Sequence, residues 1–171
     1  MLAGAQIFFC GNPFRAIIAA FSFGQGGYSS GLGKALELRF TSDPRFLHIV
    51  RSMVGQMAAL RGFSEEDTQF IILAIDEACA NIIRHAYKGR RDGEIIISCT
   101  EKEDGIEFLL ADMGEPVDCS SWPVRSLEEV RPGGLGLPLI RAVMDQVVFR
   151  RGERGNELLL GKSLSACKES S

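Results

Sequence analysis

A chain of 171 residues that is 46% hydrophobic and 24% charged carries enough apolar material for one globular core, so a single domain with a tail is expected. Its formal net charge of -3 at pH 7 excludes a general electrostatic attraction to nucleic acid or to an anionic membrane surface. Five cysteines, odd in number and without a Cys-x-x-Cys pair, speak against a disulfide framework or a zinc site and fit a reducing cytoplasm; His48 and His85 are too few for a His-rich metal site.

Residues 1–34 read as a poorly specified leader. Phe8-Phe9 and the apolar run Ala16 to Phe23 lead into the Gly-Ser-rich stretch Gly24 to Gly33. That run is far short of the roughly 20 residues a bilayer-spanning helix needs, and Arg15 is the only early charge, so neither a span nor a signal peptide is expected. A short anchor or partner helix over Pro13 to Phe23 is the weaker alternative, because Gly-Ser-rich stretches behave as linkers.

The domain begins at about residue 35, where Leu36, Leu38 and Phe40 alternate with Glu37 and Arg39 at the two-residue period of a half-buried strand. Asp43-Pro44 offers an N-cap followed by proline at the first helical position. Ile49, Met53, Met57 and Leu60 then recur at helical spacing until Gly62. Ser64 with Asp67 resembles a capping box, and Glu65 to about Tyr87 reads as a second helix whose buried face carries Ile71, Ile75, Ala78 and Ile82.

After a turn at Gly89 to Gly93, Glu94 to Thr100 and Ile106 to Ala111 read as strands paired through the Asp104-Gly105 turn. An irregular stretch follows from Asp112 to Gly134, and long irregular loops inside compact domains tend to be functional. Leu137 to Asp145 reads as a helix, Gln146 to Arg150 and Glu157 to Leu164 as closing strands, and 166–171 as a tail. Hairpin strands with grouped helices predict an α+β two-layer sandwich, with a mostly antiparallel mixed sheet and its helices on one face. There is no Rossmann alternation.

Three segments carry chemistry. On the second helix Leu73, Glu77, Asn81 and either Arg84 or His85 share one stripe, since residues three and four apart are neighbours. Such a stripe alone is usually a solvated face. The cluster Arg131-Pro132-Gly133-Gly134-Leu135-Gly136-Leu137 opens directly into a helix, where glycines admit a polyanion and the helix amides and dipole favour phosphate. Asp112-Met113-Gly114 ends a strand. A carboxylate in a pocket there accepts from the exocyclic amine of adenine and repels the carbonyl of guanine. Two glycine-lysine segments are decoys: Gly155 to Ser163 has the wrong glycine spacing for a P-loop and lies on a strand, and Gly31 to Ala35 lacks the upstream glycine and the final hydroxyl.

Taken together, Glu77 to Tyr87, Asp112-Met113-Gly114 and Gly133 to Leu137 resemble the N, G1 and G2 boxes of the GHKL ATPases. The His-Ala-Tyr ending is similar to that of the anti-sigma-factor serine kinases, over about Ala35 to Leu164. The resemblance implies a Bergerat (histidine-kinase-like) fold over residues 35–165, with the long loop as a lid over ATP. It implies Asn81 as the Mg²⁺ ligand, Glu77 as general base, Asp112 as the adenine reader and Gly114 as a shaper of the adenine pocket. Gly133, Gly134, Leu135, Gly136 and Leu137 would wrap the phosphates, with His85 orienting the site and Arg131 near the γ-phosphate. Two departures stand inside the matched region. Pro116 occupies the position of a second glycine, and Gly155-Asn156-Glu157 replaces a Gly-Thr pair and so removes a hydroxyl.

The function implied is ATP-dependent phosphorylation of a serine on an anti-anti-sigma (STAS-type) partner by a cytoplasmic homodimer that also binds a sigma factor. The competing expectation is a binding module that holds ATP without turnover and sequesters its partner. A sensor histidine kinase is disfavoured, because no helical hairpin with a phosphoacceptor histidine precedes the domain.

Overall fold

The computed structural model describes residues 35–116, 136–152 and 155–164; the expected leader, most of the long loop and the tail lie outside them. Strand β1 (Ala35–Thr41) runs into a short 3-10 turn, Pro44–Phe46, which the Asp43 carboxylate caps by accepting from the Arg45 amide at 3.0 Å. Helix α1 (Leu47–Arg61) follows directly. Gly62, at φ 94°, ends it in the left-handed region that favours glycine, and its amide reaches back to the last turn. Ser64 then caps α2 (Glu65–Asn81) through the Asp67 amide at 3.0 Å, and Glu65, Glu66 and Asp67 complement the positive end of the helix dipole.

Where one helix was expected to continue to Tyr87, α2 widens into a π turn over Ile82–Ala86, closed by the Tyr87 amide on the Ile82 carbonyl at 3.1 Å. The wide turn inserts a residue into the helical register. Ile82, Ile83, Ala86 and Tyr87 can then all be buried while Arg84 and His85 point outward.

The remaining elements are β2 (Glu94–Lys102), β3 (Gly105–Asp112), α3 (Gly136–Val143), β4 (Gln146–Gly152) and β5 (Gly155–Ser163). They form one five-stranded sheet in the order β1-β2-β3-β5-β4. All four pairings are antiparallel, so the sheet of the described residues is antiparallel throughout rather than mixed. Two helices between β1 and β2 return the chain to the end it left. The connection between β3 and β4, which contains α3 among its described residues, leaves those two strands parallel, but β5 is inserted between them, so they never pair.

Register puts one row of side chains on the helical face. Ile97 opposes Leu110, Cys99 opposes Phe108, and Phe108 and Leu110 oppose Leu160 and Leu158. These residues are buried against Val50 and Val54 of α1, Ile71, Ile75 and Ala78 of α2, and Ile140 of α3. The expected inner face of α2 is therefore the observed one. On α1, Leu47, Val50, Val54, Met57 and Ala58 face inward, while Ile49 and Leu60 of the periodic apolar set stand 43% and 75% exposed. Phe108 is fully buried at the centre of the sheet, and Phe108→Ala is expected to lower unfolding free energy by about 3–5 kcal/mol in a urea titration.

Candidate nucleotide-binding and phosphotransfer site

Glu77 lies in the last turns of α2, half-buried, and the start of α3 rests on it. A Cβ at Gly136 would come within 2.1 Å of Glu77 Oε1 and 2.6 Å of its Cγ and Cδ. Glycine here therefore lets the helix opening close onto the carboxylate, a reason beyond the phosphate contact expected from sequence. If Glu77 has the role of general base that the resemblance implies, Gly136→Ala is expected to push its side chain aside and slow phosphate transfer on the order of tenfold to a hundredfold, with ATP affinity changed far less. Single-turnover kinetics beside equilibrium binding would check it.

Asn81 closes α2, one turn beyond Glu77. Its Oδ1 accepts from Arg84 Nη1 at 3.1 Å, and the same nitrogen stands 3.8 Å from Glu77 Oε1. Of the two residues open for the end of the stripe, Arg84 is the one that touches both chemical groups. Its side chain is 53% exposed, so water screens this charge and it adds little stability. His85 lies in the π turn with an exposed side chain. Cys79, inside the same segment, is part of the core; burial pushes its thiol up to about 12, which removes it as a nucleophile.

Asp112 ends β3 and is only 5% exposed. Its Oδ1 accepts from the Gly114 amide at 2.8 Å and from Asn156 Nδ2 at 2.9 Å, while among the described residues none donates to Oδ2. Burial raises the Asp112 carboxyl above its ordinary value, against the hydrogen bonds from Asn156 and Gly114 and the charge of Arg151. The outcome is a buried carboxylate with one oxygen saturated and the other open to a donor.

The end of β3 is stitched to the end of the α2 segment. Tyr87 donates its hydroxyl proton to the Glu94 carbonyl at 2.5 Å and accepts from the Met113 amide at 3.1 Å; the Glu115 amide donates to the Ala86 carbonyl at 2.9 Å. Gly114 packs so closely that a Cβ would fall 2.7 Å from the Ala86 Cβ and carbonyl oxygen. Gly155, at φ 99°, leaves no room for a Cβ beside the Asp112 carbonyl. Pro116 does not disturb these contacts.

Of the sequence-derived candidates, Glu77, Asn81 and Gly136 meet at one end of α2, and Asp112 and Gly114 meet at the close of the π turn that follows. Leu137 sits in the first turn of α3, half-buried. Arg131, Gly133, Gly134 and Leu135 lie outside the described residues. Sequence reasoning missed Asn156, Tyr87 and Arg151, and read Arg84 only as an alternative. The signal for Asn156 lay in the departure from Gly-Thr, but its partner depends on the β3/β5 register.

Among the described residues no group of three or more His, Cys, Asp or Glu could hold a metal ion, and no helix is long and apolar enough to cross a membrane. A lone amide oxygen at Asn81 suits a Mg²⁺ ion that arrives with a nucleotide, because that ion takes most of its ligands from phosphate and water.

Comparisons with known proteins agree with this geometry. Residues 40–162 match the model of the histidine kinase-like ATPase domain. The chain is 30% identical over 120 residues to the serine-protein kinase RsbW of Bacillus licheniformis, covering 66% of this chain and 75% of the relative. It is 34% identical over 120 residues to the protein of that name from Oceanobacillus iheyensis, covering 66% and 76%. It is 33% identical over 135 residues to that from Bacillus cereus (strain G9842), covering 74% and 83%. With the antiparallel sheet under three helices among its described residues and this set of matches, the chain belongs to the histidine kinase-like ATPase domain family, in the group of the RsbW serine-protein kinases.

Proposed function

We propose that the chain is an anti-sigma regulatory kinase that transfers the γ-phosphoryl group of ATP to a serine of an anti-anti-sigma protein. The observation that carries this reading is Glu77, a carboxylate on the open stripe of α2, held against the Gly136 helix opening and one turn from Asn81. The acceptor serine's Oγ bonds to the γ-phosphorus as the bond from that phosphorus to the oxygen bridging to ADP breaks, and the hydroxyl proton passes to the Glu77 carboxylate. Asp112 accepts from the adenine amine through Oδ2. The amides of the segment Gly133 to Leu137 and the start of α3 surround the phosphates.

Asn81 Oδ1 would hold Mg²⁺, which neutralises charge on the β- and γ-phosphates when bound. Arg84, already between Glu77 and Asn81, keeps two polar groups of the site aligned on one face. A homodimer acting in the cytoplasm, with a sigma factor as its second partner, completes the reading. Transfer to serine draws support from the RsbW relatives, which are named serine-protein kinases.

The test is incubation of the purified chain with γ-labelled ATP and small candidate acceptor proteins, followed by phosphoamino-acid analysis. Label on serine of one acceptor is the expected result. ATP binding without transfer to any acceptor would reduce the chain to a binding module.

A further inference from the structure

We infer that Asn156 is a specificity-determining residue of the nucleotide pocket, which fixes the Asp112 carboxylate so that a single oxygen faces the base. Its side-chain amide sits at a crossing of three elements. Nδ2 donates to Asp112 Oδ1 at 2.9 Å and to the Glu115 carbonyl at 3.0 Å, and Oδ1 accepts from Arg151 Nη1 at 3.2 Å. Both hydrogens of the amide and its oxygen are thereby used, so Arg151 sets which way the amide points and the amide sets which way Asp112 points. The β3/β5 register makes the pairing obligatory, since Asp112 and Asn156 are direct cross-strand partners on the helical face. The amide stands where a hydroxyl is absent, but it does more than replace one, because it can hold the carboxylate and the Glu115 backbone at the same time.

The consequence is selectivity. A buried carboxylate free to rotate, or to take up a proton, can offer the base either an acceptor or a donor; one locked through Oδ1 offers only the Oδ2 acceptor, which suits the amine of adenine and rejects the carbonyl of guanine. The ionisable groups acting on Asp112 and on Tyr87 beside it are Arg151 on β4, Glu94 on β2, and Tyr87 and Arg90 near the end of the α2 segment. Asn156 is a neutral donor to Asp112, beside the Gly114 amide, and the only side chain that donates to it among the described residues. It favours the ionised carboxylate without adding a charge.

This inference rests on Asp112 reading adenine, and the experiment separates the two. The affinities of the full chain for ADP and GDP are measured by calorimetry between pH 5.5 and 8, with melting temperatures, for the wild type, Asn156→Ala and the isosteric Asn156→Asp. For Asn156→Ala we expect ADP binding about tenfold weaker, with GDP nearly unchanged, so that the ADP-to-GDP preference narrows. Asn156→Asp sets two carboxyls against each other. At pH 8 both ionise and ADP binding falls, while towards pH 5.5 a shared proton restores the donor and with it much of the affinity.

Variants that bind ADP within about twofold of the wild type at every pH, with preference unchanged, would overturn the inference. So would equal losses for ADP and GDP with no recovery of Asn156→Asp at low pH, the pattern of a merely structural residue. A wild type that does not prefer ADP over GDP would instead overturn the role of Asp112 itself.

Discussion

Glu77→Gln is expected to lower phosphate transfer to a serine acceptor by about 10²- to 10⁴-fold, the usual contribution of a positioned general base. Glutamine keeps the length and shape that Gly136 accommodates, so the opening of α3 can stay where it is. What disappears is the proposed ability to receive the serine proton, along with the ion pair to Arg84 at 3.8 Å. That pair is largely solvated, so its loss has little effect on folding. ATP affinity is expected to stay within about twofold, since in the proposed mechanism the substituted group acts on the acceptor hydroxyl in the transition state. Single-turnover transfer and nucleotide binding are to be measured on the same preparation. Transfer at the wild-type rate would remove Glu77 as the base.

Asp112→Asn is expected to act in the opposite way, weakening nucleotide binding while sparing the fold. The asparagine oxygen can still accept from Gly114 and Asn156, so the local network survives. Its amide nitrogen then takes the place of Oδ2 and opposes the adenine amine, donor against donor. Losing a hydrogen bond to a charged acceptor in this way costs about 1.5–3 kcal/mol, or roughly ten- to a hundredfold or more in ATP affinity.

Stability follows a different course. Because burial raises the Asp112 carboxyl, the folded chain holds this proton more tightly than the unfolded chain does. Its contribution to stability is therefore complete below the ordinary value of 3.8 and is lost as pH rises through the raised folded value. Near neutral pH the wild type buries a charge that the variant does not, so the variant is expected to melt at the same or a higher temperature. Melting temperatures from pH 3 to pH 8 test this, and a large fall in the variant at pH 8 would contradict it.

The two substitutions probe parts of the site that differed in how far the sequence revealed them. Glu77 and Asn81 share a stripe because a helix repeats every few residues, and the glycine cluster ahead of α3 announced a helix opening. Neither needed knowledge of the fold. Asp112 was visible as the end of a strand with a turn-forming Asp-x-Gly. What surrounds it was not, because its donor Asn156 lies 44 residues further on, across α3 and β4.

On α1 the periodic apolar set Ile49, Met53, Met57 and Leu60 fitted a helix without deciding its inner face: Met57 is buried and Met53 packs on the core, while Ile49 and Leu60 are exposed. Several apolar stripes coexist on that helix, and the choice among them falls to the surface of α2 and the sheet. The π turn was invisible for a related reason: no local residue demands it. It appears where Ile82, Ile83, Ala86 and Tyr87 must all be buried before the chain turns into β2.

The sequence by itself determined the order of the elements, their caps and turns, and the three segments that carry chemistry, because each of these depends on residues within a few positions of one another. Tertiary structure alone decided that Gly136 closes on Glu77, that Arg84 rather than His85 meets Glu77 and Asn81, and that Asn156 holds Asp112. Those are contacts between elements brought together by the pairing of β3 with β5 and by the packing of α3 on α2, and such contacts are set by the collective burial of the core.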